Sequence, residues 1–203
     1  MPILYVETNF LMSHAFGRDS KTGEILSRSP AGFRIVMPSI CFMEAFSVFE
    51  GERKRHNRLI DDLKSKISQS QRNLISPGIT RLTDHLDGAI NELQVVFNDF
   101  QKRLYGAIDL LRTAAELIDP TPEIVGESLA RALIDDPTDN LILASILSHA
   151  AAHREELKSF LSENRRDFDL KPYPKAAIEL AGIKYFSSPS KFLEWQLARP
   201  EVE

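Results

Sequence analysis

Residues 3–9 read Ile3-Leu4-Tyr5-Val6-Glu7-Thr8-Asn9, four apolar, β-leaning residues running straight into a polar trio. An unbroken apolar run of this length suits a strand buried on both faces, as in the centre of a parallel sheet. Ligands in open parallel sheets bind beyond the carboxyl ends of the strands, so an acid at that end is placed for function. Glu7 is such an acid; a solvated loop carboxylate is the competing reading. The apolar Phe10-Leu11-Met12 follow the trio.

The same pattern recurs downstream. Arg34-Ile35-Val36-Met37 is a second strand candidate stopped by Pro38, and Ser39 can cap a helix running to about residue 50. Residues 27–32, rich in Ser, Pro and Gly, read as a loop between them. Residues 52–119 differ in character and read as helix, interrupted at Ser76-Pro77-Gly78. Apolar residues recur from Ile79 and Leu82 through Leu86, Ile90, Leu93, Phe97, Phe100, Leu104, Ile108 and Leu111 to Ala115 and Ile118. Their mean step of roughly 3.5 residues is that of a long helix with one buried seam. Leu59, Leu63 and Ile67 supply a partner stripe, so the middle of the chain is expected to be a helical hairpin, closed by Pro120 and Pro122.

Beyond it, residues 124–134 read as a short helix, 135–139 as a capping loop and 140–153 as a helix. Lys158-Ser159-Phe160-Leu161 is read as a third strand, Ile183-Lys184-Tyr185-Phe186 as a fourth, and residues 189–197 as a terminal helix with proline early in it. Strands separated by helices imply parallel pairing, hence an α/β three-layer sandwich with a central parallel sheet. The expected organisation is one α/β domain from residues 1–50 and 124–203, with a helical insertion at 51–123.

Composition narrows the chemistry. Of 203 residues, 43% are hydrophobic and 27% charged, as in an ordinary globular domain. Cys41 is the only cysteine, which excludes an intrachain disulfide and a Cys-based zinc site and suggests a reducing, cytoplasmic setting. His149 and His153 have helical i, i+4 spacing, but no HExxH surrounds them, and they read as an exposed helix face. No apolar run approaches the roughly 20 residues that span a bilayer, so no membrane role is expected. The start of the chain lacks a basic n-region, and no signal peptide is expected either. A net charge of −4 argues against gripping nucleic acid by bulk electrostatics, though not by a local patch. One patch is visible in Arg53, Lys54, Arg55 and Arg58, continued by Lys64, Lys66 and Arg72. Phosphate contact is the sharper reading of it, a solvated helix face the plainer one.

Three further acids stand out. Glu44 is surrounded by Ile40, Cys41, Phe42, Met43, Ala45, Phe46, Val48 and Phe49, which predicts a helix apolar almost all round and mostly buried. A carboxylate there needs a cation or hydrogen-bond donors to meet it; a metal ion shared with other acids is one such partner and an internal arginine the competing one. Asp139 precedes an apolar helix and reads first as its N-cap, with Asp135 and Asp136 close enough to take its place in a site. Asp167 lies in the polar segment after residues 158–161, at the same sheet edge as Glu7.

Together four segments resemble the PIN-domain nuclease family. They are Tyr5-Val6-Glu7-Thr8-Asn9-Phe10-Leu11, Met37-Pro38-Ser39 followed by Glu44, Asp139-Asn140-Leu141-Ile142-Leu143-Ala144-Ser145, and Ser162-Glu163-Asn164-Arg165-Arg166-Asp167-Phe168. The resemblance implies an acidic pocket at one sheet edge and Mg²⁺- or Mn²⁺-dependent cleavage of phosphodiesters, usually of RNA. By it Glu7, Glu44 and Asp139 are metal ligands, and Asp167 a fourth acid acting directly or through water. Thr8, Asn9, Ser162 and Asn164 would hydrogen-bond the carboxylates or the phosphate. An all-oxygen donor set suits hard divalent ions. The family normally has Asp where this chain has Glu7. Expected roles are the toxin half of a toxin–antitoxin pair or a defence enzyme, with an RNA substrate and an antitoxin, another protein or a second copy as partner. A catalytically weak PIN-like protein, binding protein or RNA through its helical insertion, is the alternative.

Overall fold

The computed structural model describes residues 1–27, 32–72 and 78–198. The loop expected at 27–32 lies outside them apart from its two ends, as does the expected helix break apart from Gly78. The strands are β1 Ile3–Val6, β2 Arg34–Pro38, β3 Glu116–Ile118, β4 Lys158–Leu161 and β5 Ile183–Phe186. The helices are α1 Thr8–Phe16, α2 Ser20–Ser27, α3 Ile40–Ser70, α4 Gly78–Ala114, α5 Pro122–Ala130, α6 Pro137–Ala152, α7 Arg165–Phe168, α8 Pro172–Leu180 and α9 Pro189–Leu197.

All strands pair in parallel, in the order β3-β2-β1-β4-β5, with helices flanking the sheet. The central strand is β1, and each of its four side chains is 0% exposed, as its unbroken apolar run requires. The chain winds outward from β1 to β3 on one side, then returns to lay β4 and β5 on the other. Strand order therefore reverses beside β1, and a crevice is expected at the carboxyl ends of β1 and β4. Val6 is registered against Leu161, so Glu7 and Ser162 leave the sheet side by side at that crevice.

Several elements differ from expectation. The segment 115–118, read as the last turn of a long helix, instead turns out of α4 into the short edge strand β3. Ala115 and Ile118 continue the helical step, so period alone carried the helix too far; pairing with Val36 to Pro38 decides the matter. The two strands after the hairpin are accordingly the fourth and fifth. The helix after Ser39 does not stop near residue 50 but runs unbroken for 31 residues, and the Ser39 side chain makes no capping bond. The helix expected over 124–134 ends at Ala130. The polar segment after β4 folds into the single turn α7.

The hairpin does pack on itself. Ile60, Ile67 and Ile90 are buried together against Leu63 and Leu86, while Leu59 and Leu82 lie exposed. Farther along α4, Phe100, Leu104, Ala107 and Leu111 join the main core with the strands and α1. One helix thus belongs to both the hairpin and the core. At the other sheet edge Lys158, buried at the start of β4, donates to the carbonyls of His153, Arg154 and Glu156, satisfying the end of α6. Among the described residues no helix is long and apolar enough to cross a membrane.

Candidate active site

Glu7 sits where β1 becomes α1. Its backbone is extended, and its Oε2 accepts from the Asn9 backbone N–H at 2.7 Å, so the carboxylate caps α1. The residue is 1% exposed, which removes the solvated-loop reading. Its Oε1 is buried without a hydrogen-bond partner. Burial pushes its pKa up to about 8; the Asn9 amide and Ser162 hydroxyl oppose that rise, while the charges of Glu44 and Asp139 add to it. A buried carboxylate with an open oxygen, facing other acids, is a group that calls for a cation.

Glu44 lies on the second turn of α3, half-buried rather than enclosed. Met43 is 68% and Phe46 40% exposed, so the helix shows part of its apolar surface to solvent instead of burying it all round. Thr8, itself buried beside Glu7, donates its hydroxyl to Glu44 Oε2. Among the described residues no arginine or lysine pairs with Glu44, which disposes of the internal-arginine explanation.

Asp139 is not the N-cap of α6. Asp136 is: its Oδ1 accepts from the backbone N–H groups of Thr138 and Asp139 at 2.8 and 3.2 Å. Asp139 is thereby free, one turn in, to face the other acids. Burial raises its pKa to about 6, with further upward pushes from Glu44, Asp136 and Asp167 and a downward one from Asn164. Asp135 is 97% exposed and bonds Lys171 instead.

Asn164 joins the last two acids. Its Nδ2 donates to Asp139 Oδ2 at 3.0 Å, and its Oδ1 accepts from the Asp167 N–H at 3.3 Å, capping α7. Ser162 Oγ in turn accepts from the Asn164 N–H. Asp167 already has a counter-ion in Lys171, whose Nζ is 3.0 Å from Oδ1. Sequence reasoning missed Lys171, although its i, i+4 spacing from Asp167 is the spacing of a helical ion pair.

Glu7, Glu44, Asp139 and Asp167 therefore gather at one sheet edge and sense one another's charge. No three of them bring donor oxygens within 4.8 Å of one another. The donors suit a hard ion that keeps several of its waters, and Glu7 Oε1 is an oxygen without another partner. The residues fit a hard divalent cation.

A family model described as PIN domain matches residues 4–168. The chain belongs to the PIN-domain family. PIN domains are generally nucleases and generally use divalent metals. The matched span runs from β1 through the hairpin to the end of α7 and includes all four acids. Among solved structures, this PIN domain is similar to a chain of VapBC2 from Rickettsia felis bound to a DNA fragment from their promoter. The identity is 14% and the TM-score 0.43, over 91% of this chain and 98% of that one. No curated protein matches the sequence.

The basic stretch on α3 is more neutral than its sequence suggests. Arg53 bonds Glu50 at 2.7 Å, Lys54 approaches the same carboxylate at 3.9 Å, and Arg55 pairs with Glu52. Arg58 is exposed and forms no ion pair among the described residues.

Proposed function

We propose that this PIN domain is a divalent-metal-dependent endoribonuclease in which Glu7, Glu44 and Asp139 hold the ion, with Asp167 at the edge of the site. The observation that carries this reading is the buried, half-partnered carboxylate of Glu7 facing two other acids. A bound Mg²⁺ or Mn²⁺ would supply an activated water and stabilise the charge developing on the phosphate. The chain's own work is positional. Thr8 holds Glu44, Asn164 holds Asp139, and the Asn9 amide fixes one oxygen of Glu7 while leaving the other open. Asp167 can orient a water through its second oxygen while Lys171 keeps the first. Arg58 is the best candidate in the basic stretch for contacting the RNA backbone, with Arg53, Lys54 and Arg55 contributing only as their intrahelical pairs open.

The biological reading we favour is the toxin half of a toxin–antitoxin pair or a related defence enzyme. An apolar groove between α1, α3 and α4, lined by Phe16, Leu59, Leu93, Val96, Phe97 and Phe100, offers a place for an antitoxin-type protein or a second copy.

The reading is tested by incubating single-stranded and structured RNA with Mn²⁺, Mg²⁺ or EDTA. Wild type should cleave only with metal, and Glu44→Ala should not cleave detectably. A fully active Glu44→Ala protein, or cleavage in EDTA, would overturn it. Glu7→Asp should cleave at an unchanged or higher rate. The shorter side chain restores the family's usual acid and keeps a capping oxygen, while withdrawing the carboxylate by about 1.5 Å. A rate lowered tenfold or more would show that the site is built around the longer side chain. Asn164→Ala should slow cleavage about 10- to 100-fold, the usual cost of releasing a metal ligand's hydrogen-bond partner. Loss of the α7 cap should also destabilise the fold by about 1 kcal/mol. Wild-type rates in this variant would show that Asp139 needs no such support.

A further inference from the structure

At the amino-terminal edge of the sheet, opposite the acids, a ring nitrogen of each of His149 and His153 and a carboxylate oxygen of Glu116 lie within 4.8 Å of one another. They are the only such trio of His, Cys, Asp or Glu among the described residues. We propose that Glu116, His149 and His153 form a second metal site, for a borderline first-row divalent ion of the Zn²⁺ type.

Its place in the fold separates it from the acidic pocket. Asp139 precedes His149 by ten residues on α6, which puts them about 15 Å apart along the helix axis. The donors also differ, two imidazoles and one carboxylate being a set that suits zinc, cobalt or nickel rather than magnesium. The exposed helix face expected for this pair is not what forms. The His149 side chain is 10% exposed, and the two rings stack at 4.1 Å between centroids, 19° from parallel.

The hydrogen bonds around the rings prepare them as ligands. His153 Nδ1 is 2.9 Å from the His149 carbonyl oxygen. A carbonyl only accepts, so Nδ1 carries the proton and Nε2 of the neutral ring keeps its lone pair. This is how metal-binding histidines are commonly fixed. His149 has Nε2 2.9 Å from Glu116 Oε1 and Nδ1 2.8 Å from the Tyr5 hydroxyl. Without metal, Nε2–H donates to the carboxylate and Tyr5 donates to Nδ1. With Nε2 on an ion, the ring proton moves to Nδ1 and donates to the Tyr5 oxygen, since a hydroxyl serves in either sense.

Glu116 has one oxygen for each task. Its Oε2 pairs with Arg34 at 3.0 Å, and Oε1 is the oxygen that faces His149. Metal–donor bonds of about 2.0–2.1 Å in a tetrahedron place neighbouring donors about 3.3 Å apart, so Glu116 Oε1, 2.9 Å from His149 Nε2, must draw back slightly to admit the ion. The Glu116 side chain, 39% exposed, has room to supply that movement. Three protein donors leave the fourth position to water. The ion would tie the short edge strand β3 to the last turn of the helix whose first turn carries Asp139. Arg34 and Lys158 are the nearby cations: the two terminal nitrogens of Arg34 pair with Glu116 and Glu156 while its Nε has no hydrogen-bond partner among the described residues, and Lys158 is held by three carbonyls.

The test is Zn²⁺ calorimetry with Co²⁺ visible absorption on metal-free protein, comparing wild type, His153→Gln, Glu116→Gln and Asp139→Asn. Wild type and Asp139→Asn should each bind one ion with a Co²⁺ spectrum of nitrogen-rich coordination. His153→Gln and Glu116→Gln should bind at least tenfold more weakly, with an unchanged thermal midpoint in EDTA for at least one of them. Mn²⁺ binding at the acids should survive both substitutions. Zn²⁺ affinity unchanged in both variants, no Zn²⁺ binding by wild type, or binding lost only in Asp139→Asn would overturn the proposal.

Discussion

Asp139→Asn should lower Mn²⁺-dependent RNA cleavage by more than 100-fold and leave the fold intact. The substitution removes a charge without changing shape, and Asn164 can still donate to the remaining carbonyl oxygen. Helix α6 keeps its start because Asp136 holds the cap. Loss of a direct metal ligand should exceed the 10- to 100-fold typical of an outer hydrogen-bond partner. Asp136→Asn is the matched control: it alters the neighbouring acid, weakens the cap by less than about 1 kcal/mol, and should retain cleavage within a few-fold. Asp167→Asn should fall between them, since Lys171 already neutralises that carboxylate. Steady-state rates of the three variants decide the ranking. Comparable losses at Asp136 and Asp139 would mean that the acids act only through the overall field.

Glu7→Gln should make the metal-free protein more stable while abolishing its response to Mn²⁺. The sign follows from a folded pKa of about 8 against an ordinary 4.5. Below pH 4.5 the carboxyl is neutral in both states and costs nothing extra. Between pH 4.5 and 8 the unfolded chain releases the proton and the folded one resists. Wild-type stability from this group therefore falls by about 1.4 kcal/mol per pH unit, then levels off above pH 8. Glutamine has no such slope and keeps an oxygen for the Asn9 amide. The expected gain over wild type at pH 8 is on the order of 3–5 kcal/mol in EDTA. Mn²⁺ should reverse the order, stabilising wild type most at pH 8 and least at pH 5. Denaturant melts across this range measure both effects; parallel pH profiles for the two proteins would show that Glu7 is not held as described.

These two acids also show where sequence was informative. The run Ile3 to Val6 identified the central strand because burial on both faces leaves no other pattern. The position of Glu7 followed from strand polarity. Its burial did not, because that depends on α3 and β4 closing over the end of β1, contacts set by residues far along the chain. For Glu44 the inference ran the other way. An apolar composition suggested enclosure, yet Met43 and Phe46 face outward and the helix continues into the hairpin. The stronger demand for a cation thus moved from Glu44 to Glu7. Asp139 looked like a cap because capping residues crowd together at 135–139, and only the backbone bonds show which of them does it. Strand β3 was invisible because three residues in step with a helix carry no period of their own. The pairing of Arg53, Lys54 and Arg55 with glutamates one turn earlier was legible in the spacing, and it weakens the case for that stretch as a phosphate grip.

The central claim is that Glu7, Glu44 and Asp139 together hold a divalent ion. Its most direct test is Mn²⁺ binding at pH 8, followed by electron paramagnetic resonance, in wild type and in the combined Glu7→Gln, Glu44→Gln, Asp139→Asn protein. Wild type should quench the free Mn²⁺ signal and the triple variant, still folded by circular dichroism, should leave it unchanged. Equal binding by the two folded proteins would contradict the claim.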